Sequence, residues 1–212
     1  PGGDPTRRMA PFLNDDIDLE KSLVFAYLNT NKQSVTLNLK TEKGMQVLKS
    51  LIEQTDVVVE NFAPRVMESL GLDFESLQKI NPSLVLTSIS NFGQTGPYRD
   101  YKAADIIEYA MGGLMYISGG YDREPLKHAF NQAQFKAGTD GAGATLMAMY
   151  HQRLTGEGQH VDISIQEAVA TGLRDVVNNF TYTGAVRRRQ PNHSGDLSRL
   201  RASADGHLIP NP

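Results

Sequence analysis

Two short apolar runs, "DVVVENF" (56–62) and "LVLTSIS" (84–90), constrain this chain more than anything else in it. Each is too short for an independent helix and lacks the alternation of a half-exposed strand, the mark of a strand buried on both faces. Between them, "DFESLQKINP" (73–82) reads as a helix stopped by Pro82. Ahead of them, "QSVTLNL" (33–39) alternates in the strand manner, and "KGMQVLKSLIEQ" (43–54) places Met45, Leu48, Leu51 and Ile52 on one helical face. Strand, helix, strand, helix, strand predicts an α/β fold with a parallel sheet flanked by helices. In such sheets ligands gather at the carboxyl ends of strands. Glu60-Asn61-Phe62 and the Gly/Pro loop "SNFGQTGPY" (90–98) occupy two such ends.

Beyond that loop, residues 105–117 read as an apolar helix containing Gly112-Gly113, followed by an irregular polar stretch up to Ala137. A helix is expected from about Asp140 to Leu154, a strand at "GQHVDISI" (158–165), and a further helix over "QEAVATGLRDVVNNF". From Gly184 the sequence turns polar and arginine-rich, as a surface excursion or a connection would. The chain opens on Pro1 and stops in "ASADGHLIPNP", so it reads as an internal piece of a longer protein.

Composition removes several classes of function. A net charge of -3 over 212 residues lacks the clustered basic excess of a general nucleic-acid binder, and Arg187-Arg188-Arg189 reads as a solvated run. With no cysteine, thiol catalysis, disulfides and zinc-thiolate sites are excluded. His128, His151, His160, His193 and His207 show no H-x-x-x-H spacing, so no metal site is expected. No apolar run reaches the length of a membrane span. A cytoplasmic enzyme is the natural expectation.

"AGTDGAGA" (137–144) raises the central question. Asp140 could be a helix N-cap, its carboxylate accepting from first-turn N–H groups. A dinucleotide loop fits poorly, because the glycine order is G-x-x-G-x-G and "NQAQFK" before it is a weak strand. A carboxylate ionised at neutral pH can also act as a covalent nucleophile. Small neighbours would admit a bulky group, and a helix N-terminus would offer N–H donors to an oxyanion. Local sequence leaves cap and nucleophile both open. Glu60-Asn61 is equally ambiguous, since polar residues ending a buried strand often only cap the next element. Lys40 and Lys102 alone would pass for solvated lysines.

Taken together, "PGGDPTR", "LNTNKQSVTLNLKTEKG", "DVVVENFAP", "LGLDFESLQKINPSLVLTSISNFGQTGPY", "AGTDGAGA" and "TGEGQHVDISIQEA" resemble the family III CoA-transferases, in order and along almost the whole chain. The resemblance implies a Rossmann-like large domain truncated at both ends, over residues 1–183, with 184–212 leading toward an absent small domain. It implies transfer of CoA from an acyl-CoA to a free carboxylic acid, with coenzyme A as substrate, no metal, and an interlocked homodimer for the full-length protein. Asp140 matches the family's nucleophile. Leu37, Lys40, Asn61, Phe62 and Lys102 match positions at the CoA site. Glu167, in the "VDISIQEA" motif, reads as structural. The related 2-methylacyl-CoA racemases place a histidine before the aspartate that Asp105 matches; here that position is Ala104, and two-face proton transfer lacks one of its groups. A non-catalytic acyl-CoA or nucleotide binder is the other alternative.

Overall fold

The computed structural model describes residues 3–189 and 201–208, so His193 and most of the polar stretch after Gly184 lie outside the described residues. The chain divides into two compact units, Pro1–Leu48 and Lys49–Pro212.

In the first unit, α1 (Leu23–Leu28) begins at Ser22, whose hydroxyl accepts from the Phe25 N–H. The buried Ser22 Oγ also lies 2.8 Å from the Thr6 carbonyl and 2.7 Å from that of Met9, tying a short 3-10 turn (Pro5–Arg8) to the helix. The Arg7 guanidinium covers the Phe25 ring at 3.8 Å, a cation–π contact. Residues 33–39, expected as a strand, have no regular structure, and Val35 is exposed. Alternation specifies which side chains could share a face, but a strand forms only when a neighbour takes its backbone groups. No described strand pairs with this segment. Thr41 Oγ1 accepts from the Gly44 N–H at 3.2 Å and so starts α2 (Glu42–Ile52), within which the division between the units falls.

The second unit carries the sheet. Its elements run β1 (Val57–Glu60), α3 (Val66–Ser69), α4 (Phe74–Ile80), β2 (Val85–Ser90), α5 (Asp105–Met111), α6 (Leu114–Ile117), α7 (Gln132–Thr155), β3 (His160–Ser164), α8 (Ile165–Ala170) and α9 (Arg174–Thr183). A short antiparallel hairpin of β4 (Arg201–Ser203) and β5 (Gly206–Leu208) comes last. The order β1-β2-β3 is parallel throughout, with Val57 opposite Val85 and Leu86 opposite His160. The continuous apolar reading of 84–90 is explained by burial: Leu84, Val85 and Leu86 are closed off from solvent on both sides of the central strand. α4 opens on Asp73, which accepts from the Ser76 N–H at 2.9 Å, and closes before Pro82, as its sequence predicts. α7 packs on β2, β3 and α8, and α5 packs on α8. Tyr109, Ala133, Ala137, Ile165, Ala168 and Val169 form the core between these helices.

Three helix boundaries differ from the sequence reading. The apolar helix over 105–117 breaks into α5 and α6 at Gly112-Gly113, where Gly113 takes φ +87°, open to glycine at little cost. The helix expected over 166–180 is interrupted by a 3-10 turn at Thr171–Leu173. Most important, α7 starts at Gln132 rather than near Asp140. Asp140 is therefore neither an N-cap nor near the free N–H groups of a helix terminus. The glycines that suggested a loop are helical. Gly141 is buried facing the sheet, where a Cβ would lie 3.3 Å from Ile89 Cδ1. Glycine there lets the helix approach the sheet closely, outweighing a propensity cost of about 1 kcal/mol relative to alanine.

Candidate functional site

A cavity of roughly 690 Å³ opens at the carboxyl ends of β1 and β2. Each wall has a local cause. At the end of β1, the buried Glu60 turns its carboxylate back to accept from the Phe62 N–H at 2.8 Å. Glu60 thus serves the bland role of a turn-former, and Asn61 and Phe62 line the cavity as exposed residues. At the end of β2, Ile89, Ser90 and Asn91 form the floor. The segment from Arg99 to Ala103 forms a rim, and α7 contributes Gln134 and Gly138.

The rim is electropositive in a specific way. Asp100 accepts bidentate pairs from both Arg65 (3.1 and 2.9 Å) and Arg99 (3.2 Å twice), and these guanidiniums hold its carboxyl below the usual range. Arg99 and Asp100 stand on the rim itself, while Arg65 lines the neighbouring cavity together with Glu68. Lys102 adds a positive charge to the rim, having no ion-pair partner among the described residues. The Lys102 ammonium and the Arg99 guanidinium beside a partly apolar cleft suit a ligand with phosphate at one end and apolar atoms at the other.

Of the residues expected to form the site, Asn61, Phe62 and Lys102 come together in this cavity. Leu37 and Lys40 belong to the first unit, Lys40 exposed and Leu37 half-buried. Asp140 is not among the lining residues. It projects from the third turn of α7, half-exposed, with Lys136 Nζ 3.7 Å from its carboxylate. Gly138, two residues earlier on the same helix and on a different face of it, does line the cavity, and apart from α7's own neighbouring backbone nothing stands within 4 Å of where its Cβ would be. Glu167 lies in α8, its N–H capped by Ser164 Oγ at 3.2 Å.

Two acidic residues that the sequence reading left without a site role are central to the architecture. Asp105 accepts from the Ala133 N–H at 2.9 Å, capping α7 from another helix, and pairs with Lys127 at 2.8 Å. The cap of this helix thus exists, but it is supplied from 28 residues away. Glu108 is completely buried behind the cavity wall; burial first, and then the charge of Asp105, push its carboxyl up to about 7. A second carboxylate, three residues after Asp105 on the same face of the apolar run "DIIEYAM", is the signal that could have found it.

A second cavity of roughly 570 Å³, reaching from Arg65 and Phe74 to His160, contains Ser88. Ser88 Oγ lies 2.9 Å from His160 Nε2, a nucleophile–base spacing, but Ser88 is only 2% exposed within β2. The bond ties β2 to β3. Among the described residues there is no group of three or more His, Asp or Glu placed to hold a metal, and no helix long and apolar enough to cross a membrane.

Comparison with known proteins agrees with this architecture. The family model for CoA-transferase family III matches residues 1–209, and the chain belongs to that family. It is 35% identical over 212 residues to a succinate–glutarate CoA-transferase of Agrobacterium fabrum, covering 98% of this chain and 53% of that protein. It is 41% identical over 169 residues to a formyl-CoA:oxalate CoA-transferase of Streptomyces avermitilis, covering 80% of this chain and 40% of the relative. A crystal structure of a CAIB/BAIF family protein from Brucella suis superimposes with a TM-score of 0.85 at 34% identity, over 99% of this chain and 56% of that one. The chain spans about half the length of the curated relatives it matches.

Proposed function

We propose that the protein carrying this chain transfers CoA from an acyl-CoA donor to a free carboxylic acid through a covalent intermediate on Asp140. The observation that carries this reading is the gathering of three family-matched positions, Asn61, Phe62 and Lys102, in one cavity at the carboxyl ends of the parallel strands. There the nucleotide end of CoA meets the positive rim. Asp140 lies two residues along α7 from Gly138, about 200° around the helix, so in this reading the thioester end reaches round α7 to meet it.

In this reading the Asp140 carboxylate attacks the thioester carbonyl; the C–S bond breaks, leaving a mixed anhydride and CoA thiolate. The thiolate attacks the aspartyl carbonyl, releasing the donor acid and forming an aspartyl-CoA thioester. The acceptor carboxylate then attacks that thioester and expels the thiolate. Attack of the thiolate on the acceptor's acyl carbonyl regenerates Asp140. No proton is consumed and no redox partner is required. The nucleophile needs only to be ionised and exposed, and Asp140 is half-exposed beside an ammonium group. The helical setting removes one feature expected from sequence: N–H groups inside α7 are taken by the helix, so oxyanion donors must come from elsewhere.

The test is Asp140→Ala. Transfer is lost, while the melting temperature and circular dichroism stay close to wild type, because the side chain caps nothing. Turnover near wild type removes Asp140 from the reaction. The interlocked homodimer, the acyl-CoA and acid pair as partners, and a cytoplasmic location complete the proposal.

A further inference from the structure

Glu108 takes no part in the reaction above, yet among the described residues of the second unit it is the most thoroughly buried acidic or basic side chain. Its two carboxyl oxygens hold two amides of the cavity wall. Asn91, with its amide turned so that each end meets a partner, donates to Glu108 Oε1 at 2.9 Å and accepts from the Ala103 N–H at 3.0 Å. Gln134 Nε2 donates to Oε2 at 3.2 Å. The Asn91 backbone is fixed as well, its carbonyl accepting from the Gln166 N–H at 3.1 Å. Asn91 is thus a strut between a buried carboxyl and the backbone of the residue next to Lys102.

A leucine at 108 would fill the same space without a buried carboxyl beside Asp105, and such replacements are often neutral or stabilising. What an apolar residue could not do is orient Asn91, and through it the rim. We propose that Glu108 is a positioning residue: by way of Asn91 it fixes the Tyr101–Ala103 segment, and hence the Lys102 ammonium, for the phosphates of the bound ligand. The inference rests on the reading of the cavity as a CoA site.

Calorimetric titration with CoA, and separately with phosphate-free pantetheine, tests it on wild type, Glu108→Leu, Lys102→Ala and the double variant. Glu108→Leu and Lys102→Ala each weaken CoA roughly three- to tenfold, the range expected for one lost or misplaced hydrogen bond. The double variant binds no more weakly than Lys102→Ala alone, and pantetheine binding is unchanged by Glu108→Leu. Glu108→Gln, which keeps an acceptor for Asn91, restores CoA binding to within about twofold of wild type, less than one hydrogen bond's worth. Should Glu108→Leu fail to fold, Asn91→Leu breaks the same strut from its other end and gives the same CoA-selective loss. Equal weakening of CoA and pantetheine, multiplied losses in the double variant, or wild-type affinity in Glu108→Leu each overturns the positioning role while leaving the CoA reading intact. A wild type that binds no CoA overturns both.

Discussion

The pH dependence of stability should carry the signature of Glu108. Its carboxyl sits at about 7 in the folded protein against an ordinary value of 4.5, chiefly because burial disfavours the charge and secondarily because Asp105 repels it. The folded state therefore holds a proton that the unfolded state releases. The stability associated with that proton is fully present below about pH 4.5 and is lost as pH rises through about 7. At 1.36 kcal/mol per pK unit, the full loss is about 3 kcal/mol, of which about 2.5 falls between roughly pH 5 and pH 8. Glu108→Gln has the same shape and cannot ionise. Urea unfolding of wild type and variant across that range isolates the effect, since groups that do not interact with Glu108 cancel in the difference. The difference between the two stabilities should change by about 2.5 kcal/mol, with the variant gaining relative to wild type as pH rises. Parallel curves would refute the reasoning, showing that the carboxyl is solvated or already ionised when folded.

The same geometry sets other outcomes. Asp105→Ala removes the acceptor that caps α7 and the partner of Lys127, and should cost about 1–2 kcal/mol in unfolding experiments. Gly138→Ala adds a methyl group in open space and should gain up to about 1 kcal/mol from helix propensity; Gly141→Ala, pressed against Ile89, should gain less. Equal gains would contradict the close packing of α7. Lys102→Ala and Asn61→Ala should raise KM for the CoA ester with kcat little changed, the pattern of lost binding. A large fall in kcat at constant KM would move them to the reacting end.

How much of this was legible in the sequence depends on how local the cause is. β2 was readable because burial on both faces leaves a short apolar run between turn residues; β1 was found by the same kind of run although it is an edge strand with Val59 exposed, and β3 by the alternation of "HVDIS". α4 was readable because Asp73 caps it and Pro82 lies just past its end. The segment 33–39 failed because alternation is necessary for a half-buried strand but not sufficient; pairing is a property of the neighbour. α7 was misplaced because its N-terminal acceptor comes from Asp105, and no local pattern records a cap 28 residues away. The glycines of "AGTDGAGA" looked like a loop because their reasons for being small, close approach at Gly141 and an open flank at Gly138, are tertiary. At the site, Asn61, Phe62 and Lys102 were found by resemblance to a family and not by spacing. The residues that orient the rim, Glu108 and Asn91, needed the fold to bring them together.

The central claim is that Asp140 becomes covalently acylated. The direct measurement is hydroxylamine trapping: the protein carrying this chain is incubated with an acyl-CoA, quenched with hydroxylamine, digested and sequenced by mass spectrometry. The account predicts a hydroxamate on Asp140 that requires the acyl-CoA and is missing from Asp140→Ala. CoA transfer proceeding at full rate with no modification of Asp140, or with the hydroxamate on another carboxylate, would contradict it.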